Sequence, residues 1–243
     1  MASAPITENC VDTNSTSTAE NQTMHQIRQF DLKVVRDAFV DCIQPDQNLL
    51  LHEYVRAYDE LCVFVSSLGA IFDWAIKDLT HKLVILREHQ RLDPINYHSI
   101  QSMIAHEVKT DRVKTKDTAL TLPSGKPLPN GSRTLLRLHR ALAFISSFLS
   151  QMRLASDNES SAAIAWNAYS STLGHFHSWP VRHTIHAAIK LTVPDRGTLI
   201  DKLLNKRNPN EIETISIDIV KSCNLIESKT QELFEKHHLT RLP

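Results

Sequence analysis

Residues 131–142 read Gly131-Ser132-Arg133-Thr134-Leu135-Leu136-Arg137-Leu138-His139-Arg140-Ala141-Leu142. The arginines at 133, 137 and 140 recur at spacings of four and three, which stack side chains on one face of an α-helix. The same face continues into Phe144 and Phe148, so it begins cationic and turns apolar. Leu138, Leu142, Ile145 and Leu149 form a second, wholly apolar stripe, and the pattern predicts one helix from about Ser132 to Ala155. Solubility alone does not require a face that changes in this way, and a core face does not carry Arg133 and Arg137. The partner that such a face fits is amphipathic, with an anion at one end.

Helical periodicity extends in both directions from this stretch. Upstream, Leu32, Val35, Ala38, Phe39 and Cys42 predict a helix over 31–43. Pro45-Asp46 breaks it and offers Asp46 as an N-cap for a longer helix through Leu50, Tyr54, Tyr58, Leu61, Val65 and Leu68, ending at Gly69. A third helix is predicted over 70–91 and a short one from Tyr97 to Val108. Residues 109–130, polar and rich in Pro and Gly, read as a long loop. Downstream, helices are predicted from Asp157 to Leu173, over 180–191, after Pro194-Asp195, and over about 210–236. In the last of these Ile215, Ile217 and Ile219 alternate as a strand would, but the full pattern favours a helix. Residues 1–28, rich in Ser, Thr, Asn and Gln, have the composition of a disordered tail. The expectation is a single all-α domain over 29–243.

Composition narrows the function. Lys plus Arg (27) equals Asp plus Glu (27), so no global field steers the chain to nucleic acid, and any anion recognition is local. Only 5 glycines argue against an all-β fold. The chain shows no signal peptide and no apolar run of membrane-spanning length, so a cytoplasmic protein is expected. The four cysteines are scattered and read as small hydrophobes. His183 and His186 share a helical face, but no Cys or carboxylate pattern completes a metal site, and neither metal nor cofactor is expected.

Asp78 and Lys82 interrupt the apolar stripe formed by Ile71, Ala75 and Ile85. By spacing alone they are equally a surface i,i+4 ion pair or part of a site. Two arginine forks and a lysine suit a phosphomonoester, which carries about −1.5 to −2 charges near neutral pH. A lone histidine between Phe176 and Trp179, such as His177, is ordinarily a satisfied core residue, and its functional reading is as a donor to a carbonyl. Trp179 divides evenly between core and membrane-interface roles. No nucleophile motif or phosphate loop accompanies these residues, so no enzyme activity is expected.

Three segments together resemble the glycolipid transfer protein superfamily, in the family's order. They are Leu68-Gly69-x-Ile71-Phe72 with Asp78-x-x-x-Lys82, then the 131–142 stretch, then Phe176-His177-x-Trp179-x-Val181-Arg182. The resemblance is closest to the ceramide-1-phosphate transfer branch. It implies a two-layer, all-helical fold enclosing lipid chains in an apolar pocket, with Phe144 and Phe148 towards the chains. It also implies that Asp78 accepts from the ceramide amide N–H and a sphingoid hydroxyl, that His177 donates to the acyl carbonyl, and that Lys82, Arg133 and Arg137 hold the phosphate. Arg140 is outside that phosphate set. Glycolipid binders of the superfamily carry Asn at the Lys82 position and a sugar-stacking Trp at the Arg137 position, and this chain has neither. The expected function is passive intermembrane transfer of ceramide-1-phosphate by a monomer that touches membranes transiently through Trp179. Glycolipid transfer, and a helical interaction module docking an acidic partner, remain as alternatives.

Overall fold

The computed structural model describes residues 29–114, 117–156, 158–204 and 208–242, and the expected polar tail at 1–28 lies outside them. Among the described residues the order is α1 (Leu32–Cys42), α2 (Leu51–Ser67), α3 (Asp73–Leu92), α4 (Ile100–Lys109), strands β1 (Asp117–Thr121) and β2 (Pro127–Pro129), then α5 (Gly131–Leu154), α6 (Ser161–Ser171), α7 (Trp179–Thr192), α8 (Arg196–Leu204) and α9 (Pro209–Lys236). The all-α expectation holds, with one small addition. Part of the predicted 109–130 loop is an antiparallel hairpin, with Thr121 opposite Pro127 and Asp117 opposite Pro129.

Side chains set several of the helix starts. Asp31 caps α1 by accepting from the Lys33 amide at 2.8 Å. Ser99 and Ser102 form a reciprocal capping box at the start of α4, which leaves Tyr97 outside the helix predicted to begin there. Asp46 does not cap α2. Its carboxylate instead accepts from the Asn48 amide at 3.0 Å and closes a turn, so the helix begins later, at Leu51. Gly69 follows α2 at φ 118°, a conformation that suits glycine, and a short 3-10 turn over Ala70–Phe72 leads into α3.

The long helices pack in a closed circuit: α1 on α2, α2 on α3, α3 on α5, α5 on α9, and α9 back on α1. Inside it Val35, Phe39, Tyr54, Tyr58, Leu138, Leu142, Ile219 and Phe234 are fully buried. Each such aliphatic or aromatic side chain contributes about 1.5–3 kcal/mol by burial. Ile215 and Ile219 are buried and Ile217 is exposed, so the alternating isoleucines obey helical geometry. A second, smaller apolar cluster of Ala165, Tyr169, Ile185 and Ile189 lies between α6 and α7, with Phe144 and Phe148 packed against it. Phe148 also packs against the main core, so α5 is the wall common to both interiors. The hairpin places Leu122 and Leu128 on Ile85 of α3, one turn beyond Lys82.

Candidate functional site

The site begins with how α5 is anchored. Asn130 accepts from the Arg133 amide at 2.8 Å, while Glu107, fully buried, accepts from the Gly131 and Ser132 amides at 2.6 and 2.8 Å. A carboxylate here meets the positive end of the helix dipole and satisfies amides that the helix itself cannot. Gly131 is needed for this close approach, because a Cβ there would stand 2.5 Å from Met103 Sδ and 3.2 Å from Glu107 Oε1. The register of the following arginines is therefore set by a buried contact between α4 and α5.

Arg133 is buried, at 7% exposure, and lines a cleft of about 620 Å³ with Asp111, Lys114, His237 and His238. One turn on, Arg137 is exposed, and its guanidinium donates to the Arg133 carbonyl at 3.2 Å. Arg140 differs. It donates to the Thr240 carbonyl at 3.1 Å and lies 3.9 Å over the Phe176 ring, a cation–π contact that ties α5 to the segment before His177. Partial burial and the neighbouring Arg137 lower its pKa. Phe144 and Phe148 follow on the same face, their rings stacked 6.1 Å apart, as the spacing predicts.

On α3, Asp78 and Lys82 form an ion pair that also draws Lys82 Nζ to within 3.5 Å of the Asp78 carbonyl. Its burial is asymmetric: the Lys82 side chain is 10% exposed and that of Asp78 is 60% exposed. Lys82 is thus no ordinary surface partner, because placing an ammonium out of water is costly without an anion beside it. Asp78, for its part, is more open than a headgroup acceptor selecting by burial would be, which weakens selectivity derived from its desolvation alone. Its negative charge still reaches His177, where it opposes the lowering of the imidazole pKa by burial.

His177 follows a 3-10 turn over Leu173–Phe176, and its Nδ1 lies 2.8 Å from the Tyr169 hydroxyl of α6. The structure thus pairs Asp78 with Lys82, leaves His177 within reach of the Asp78 charge, and places Arg133 and Arg137 on α5, which packs directly against α3. Trp179 is 71% exposed, and its ring lies 4.1 Å from that of His183 at a tilt of 57°, so the core reading of that residue does not hold. Helix α7 touches the Ala70–Phe72 turn, and Ile71, Trp74, Phe176 and Val181 are exposed along with Trp179. Sequence reasoning did not single out Trp74 or Tyr169. Trp74 sits at the start of a helix whose apolar stripe drew the attention, and Tyr169 read as one more inward apolar position.

A sequence profile described as glycolipid transfer protein matches residues 49–205. The chain belongs to the glycolipid transfer protein family. Among its relatives, the ceramide-1-phosphate transfer protein of Rattus norvegicus is 33% identical over 219 residues, covering 89% of this chain and 98% of that protein. The crystal structure of mouse ceramide-1-phosphate transfer protein superposes with a TM-score of 0.77 at 32% identity, over 88% of this chain and 100% of the other. The human protein in complex with 2:0 ceramide-1-phosphate gives a TM-score of 0.76 at 28% identity, over 89% and 100%. The fold is therefore that of the glycolipid transfer protein family. Among the described residues no helix is long and apolar enough to cross a membrane.

Proposed function

We propose that this protein moves a phosphosphingolipid, ceramide-1-phosphate, between membranes without chemical turnover. One observation carries the reading. Two largely buried cations, Lys82 and Arg133, lie on helices that pack together, and the arginine face of α5 runs directly into Phe144 and Phe148. A phosphate held by Lys82, Arg133 and Arg137 would leave its lipid chains pointing along that apolar continuation. His177 would donate to the acyl carbonyl, and Asp78 would accept from the amide N–H. The human relative's complex with 2:0 ceramide-1-phosphate supports a lipid of this class as the ligand. Each methylene exposed to water costs about 0.8 kcal/mol, so a protein that shields the chains speeds exchange without an energy source.

Membrane contact falls to Trp179, whose amphipathic ring suits the headgroup region, with Ile71 on the adjoining turn and Trp74 at the start of α3 extending the same exposed surface. The protein acts as a monomer in the cytoplasm and associates transiently with intracellular membrane surfaces. The deciding experiment is vesicle-to-vesicle transfer of ceramide-1-phosphate alongside a neutral glycolipid. Faster movement of the phosphate lipid is expected, and faster movement of the glycolipid would overturn the headgroup assignment.

A further inference from the structure

His177 has two ring nitrogens, and the neutral ring carries a proton on only one of them. Nδ1 lies 2.8 Å from the Tyr169 hydroxyl, with the two rings tilted at 32° and their centroids 5.8 Å apart. Tyr169 is 2% exposed, and its ring is held edge-on by Phe144 at 6.5 Å and against Trp166 at 5.5 Å. Gly174 allows the 3-10 turn to pass close beneath it, since a Cβ there would come within 3.0 Å of the Tyr169 carbonyl oxygen. Phe176, next to His177, is pinned by Arg140. The hydroxyl is therefore a rigid partner, supplied from a packed helix to a ring at the end of a short turn.

Resting on the lipid reading above, we propose that Tyr169 is a positioning residue. Its hydroxyl donates to His177 Nδ1 and so holds the imidazole in the tautomer whose Nε2–H is presented to the ligand carbonyl. The reverse arrangement, with Nδ1–H donating to the tyrosine oxygen, would leave Nε2 as an acceptor and repel a carbonyl. Burial raises the Tyr169 pKa, which keeps the hydroxyl protonated and able to donate. Burial also lowers that of His177, which favours the neutral ring, and for a neutral ring a tautomer has to be chosen. The Asp78 carboxylate acts on the same ring and opposes part of that lowering. Tautomer control through the second nitrogen is the usual way a histidine's working nitrogen is set.

The test uses the full chain with ¹⁵N-labelled histidine, the His177 resonances being assigned by their loss in His177→Gln. Two-bond proton–nitrogen correlations distinguish the tautomers directly. The wild type is expected to show Nε2–H, and Tyr169→Phe, which keeps the ring packing, is expected to show a population shifted towards Nδ1–H. An Nδ1–H wild type, or an unchanged pattern in Tyr169→Phe, would overturn the assignment. Ceramide-1-phosphate transfer by Tyr169→Phe should fall about 2- to 10-fold, the scale of one lost neutral hydrogen bond. If the tautomer shifts as expected while the wild type moves no ceramide-1-phosphate, the lipid reading fails and the role of Tyr169 stands. If the wild type moves the lipid and the tautomer is indifferent to Tyr169, the reverse holds.

Discussion

The Glu107 carboxylate receives the Gly131 amide at 2.6 Å, so the helix that carries the arginines is tied at its first residue to a buried acid on α4. The same carboxylate takes the Ser132 amide at 2.8 Å and the Tyr97 hydroxyl at 2.9 Å. Glu107→Leu would leave all three buried donors without an acceptor, at about 1–3 kcal/mol each. Taking the lower bound for all three, the midpoint of thermal unfolding should fall by about 6–12 °C. An unchanged midpoint would show that the contact does not hold the helix in place.

Arg137 is exposed, and its guanidinium donates to the Arg133 carbonyl within the same helix. Arg137→Ala should therefore change stability by no more than about 0.5 kcal/mol. Its cost should appear in transfer, as a loss of about 10- to 100-fold for ceramide-1-phosphate, because hydrogen bonds to a charged group are worth about 1.5–3 kcal/mol. Transfer within twofold of the wild type would remove Arg137 from the phosphate set.

Trp179 contributes little to the interior, so Trp179→Ala should unfold at nearly the wild-type temperature yet sediment poorly with phospholipid vesicles. The double variant with Trp74→Ala should weaken vesicle binding further, since Trp74 is exposed at the start of α3, directly after the turn that α7 touches. Equal vesicle binding by wild type and double variant would move the membrane contact elsewhere.

His139 is 4% exposed, its Nε2 is 2.9 Å from Gln231 Oε1, and Glu227 stands at 3.8 Å. Burial lowers its pKa from the ordinary 6.5, and Arg140 lowers it further against the opposing pull of Gln231 and Glu227. The unfolded chain therefore takes up this proton before the folded one does. The stability contribution is complete above about pH 6.5 and is lost as the pH falls through that value towards the lower folded pKa. His89, whose pKa is also lowered by burial, acts in the same direction. Denaturant titrations from pH 8 to pH 5 should show a falling unfolding free energy, with a slope that is shallower in His139→Gln by up to about 1.4 kcal/mol per pH unit. An equal slope in the two proteins would exclude His139 as a contributor.

Much of the architecture was legible in advance because a 3.6-residue apolar repeat is a strong signal over ten or more residues. The α5 face, from Arg133 to Phe148, is an example, as is the resolution of Ile215, Ile217 and Ile219 as helix. The hairpin was not legible. Its strands are short, β2 begins and ends in proline, and its burial depends on Ile85 far upstream in the chain. The start of α2 was missed because Asp46 found a nearer acceptor role at Asn48. In the site, spacing brought Asp78 and Lys82 together but could not say which would be buried, since that is decided by the packing of α3 against α5. The Tyr169–His177 pair joins positions eight apart across a helix end and a 3-10 turn, a separation for which no regular periodicity exists.

The sharing of Phe148 between two apolar clusters bears on how the molecule breathes. The main interior closes through α1, α2, α3, α5 and α9, whereas Ala165, Tyr169, Ile185 and Ile189 belong to the short α6–α7 pair. Such a pair can separate from α5 as a local opening that leaves the larger circuit intact. Amide hydrogens in α6 and α7 should then exchange with solvent through sub-global fluctuations, at rates insensitive to the free energy of global unfolding, while those of α1, α5 and α9 exchange only when the whole domain unfolds.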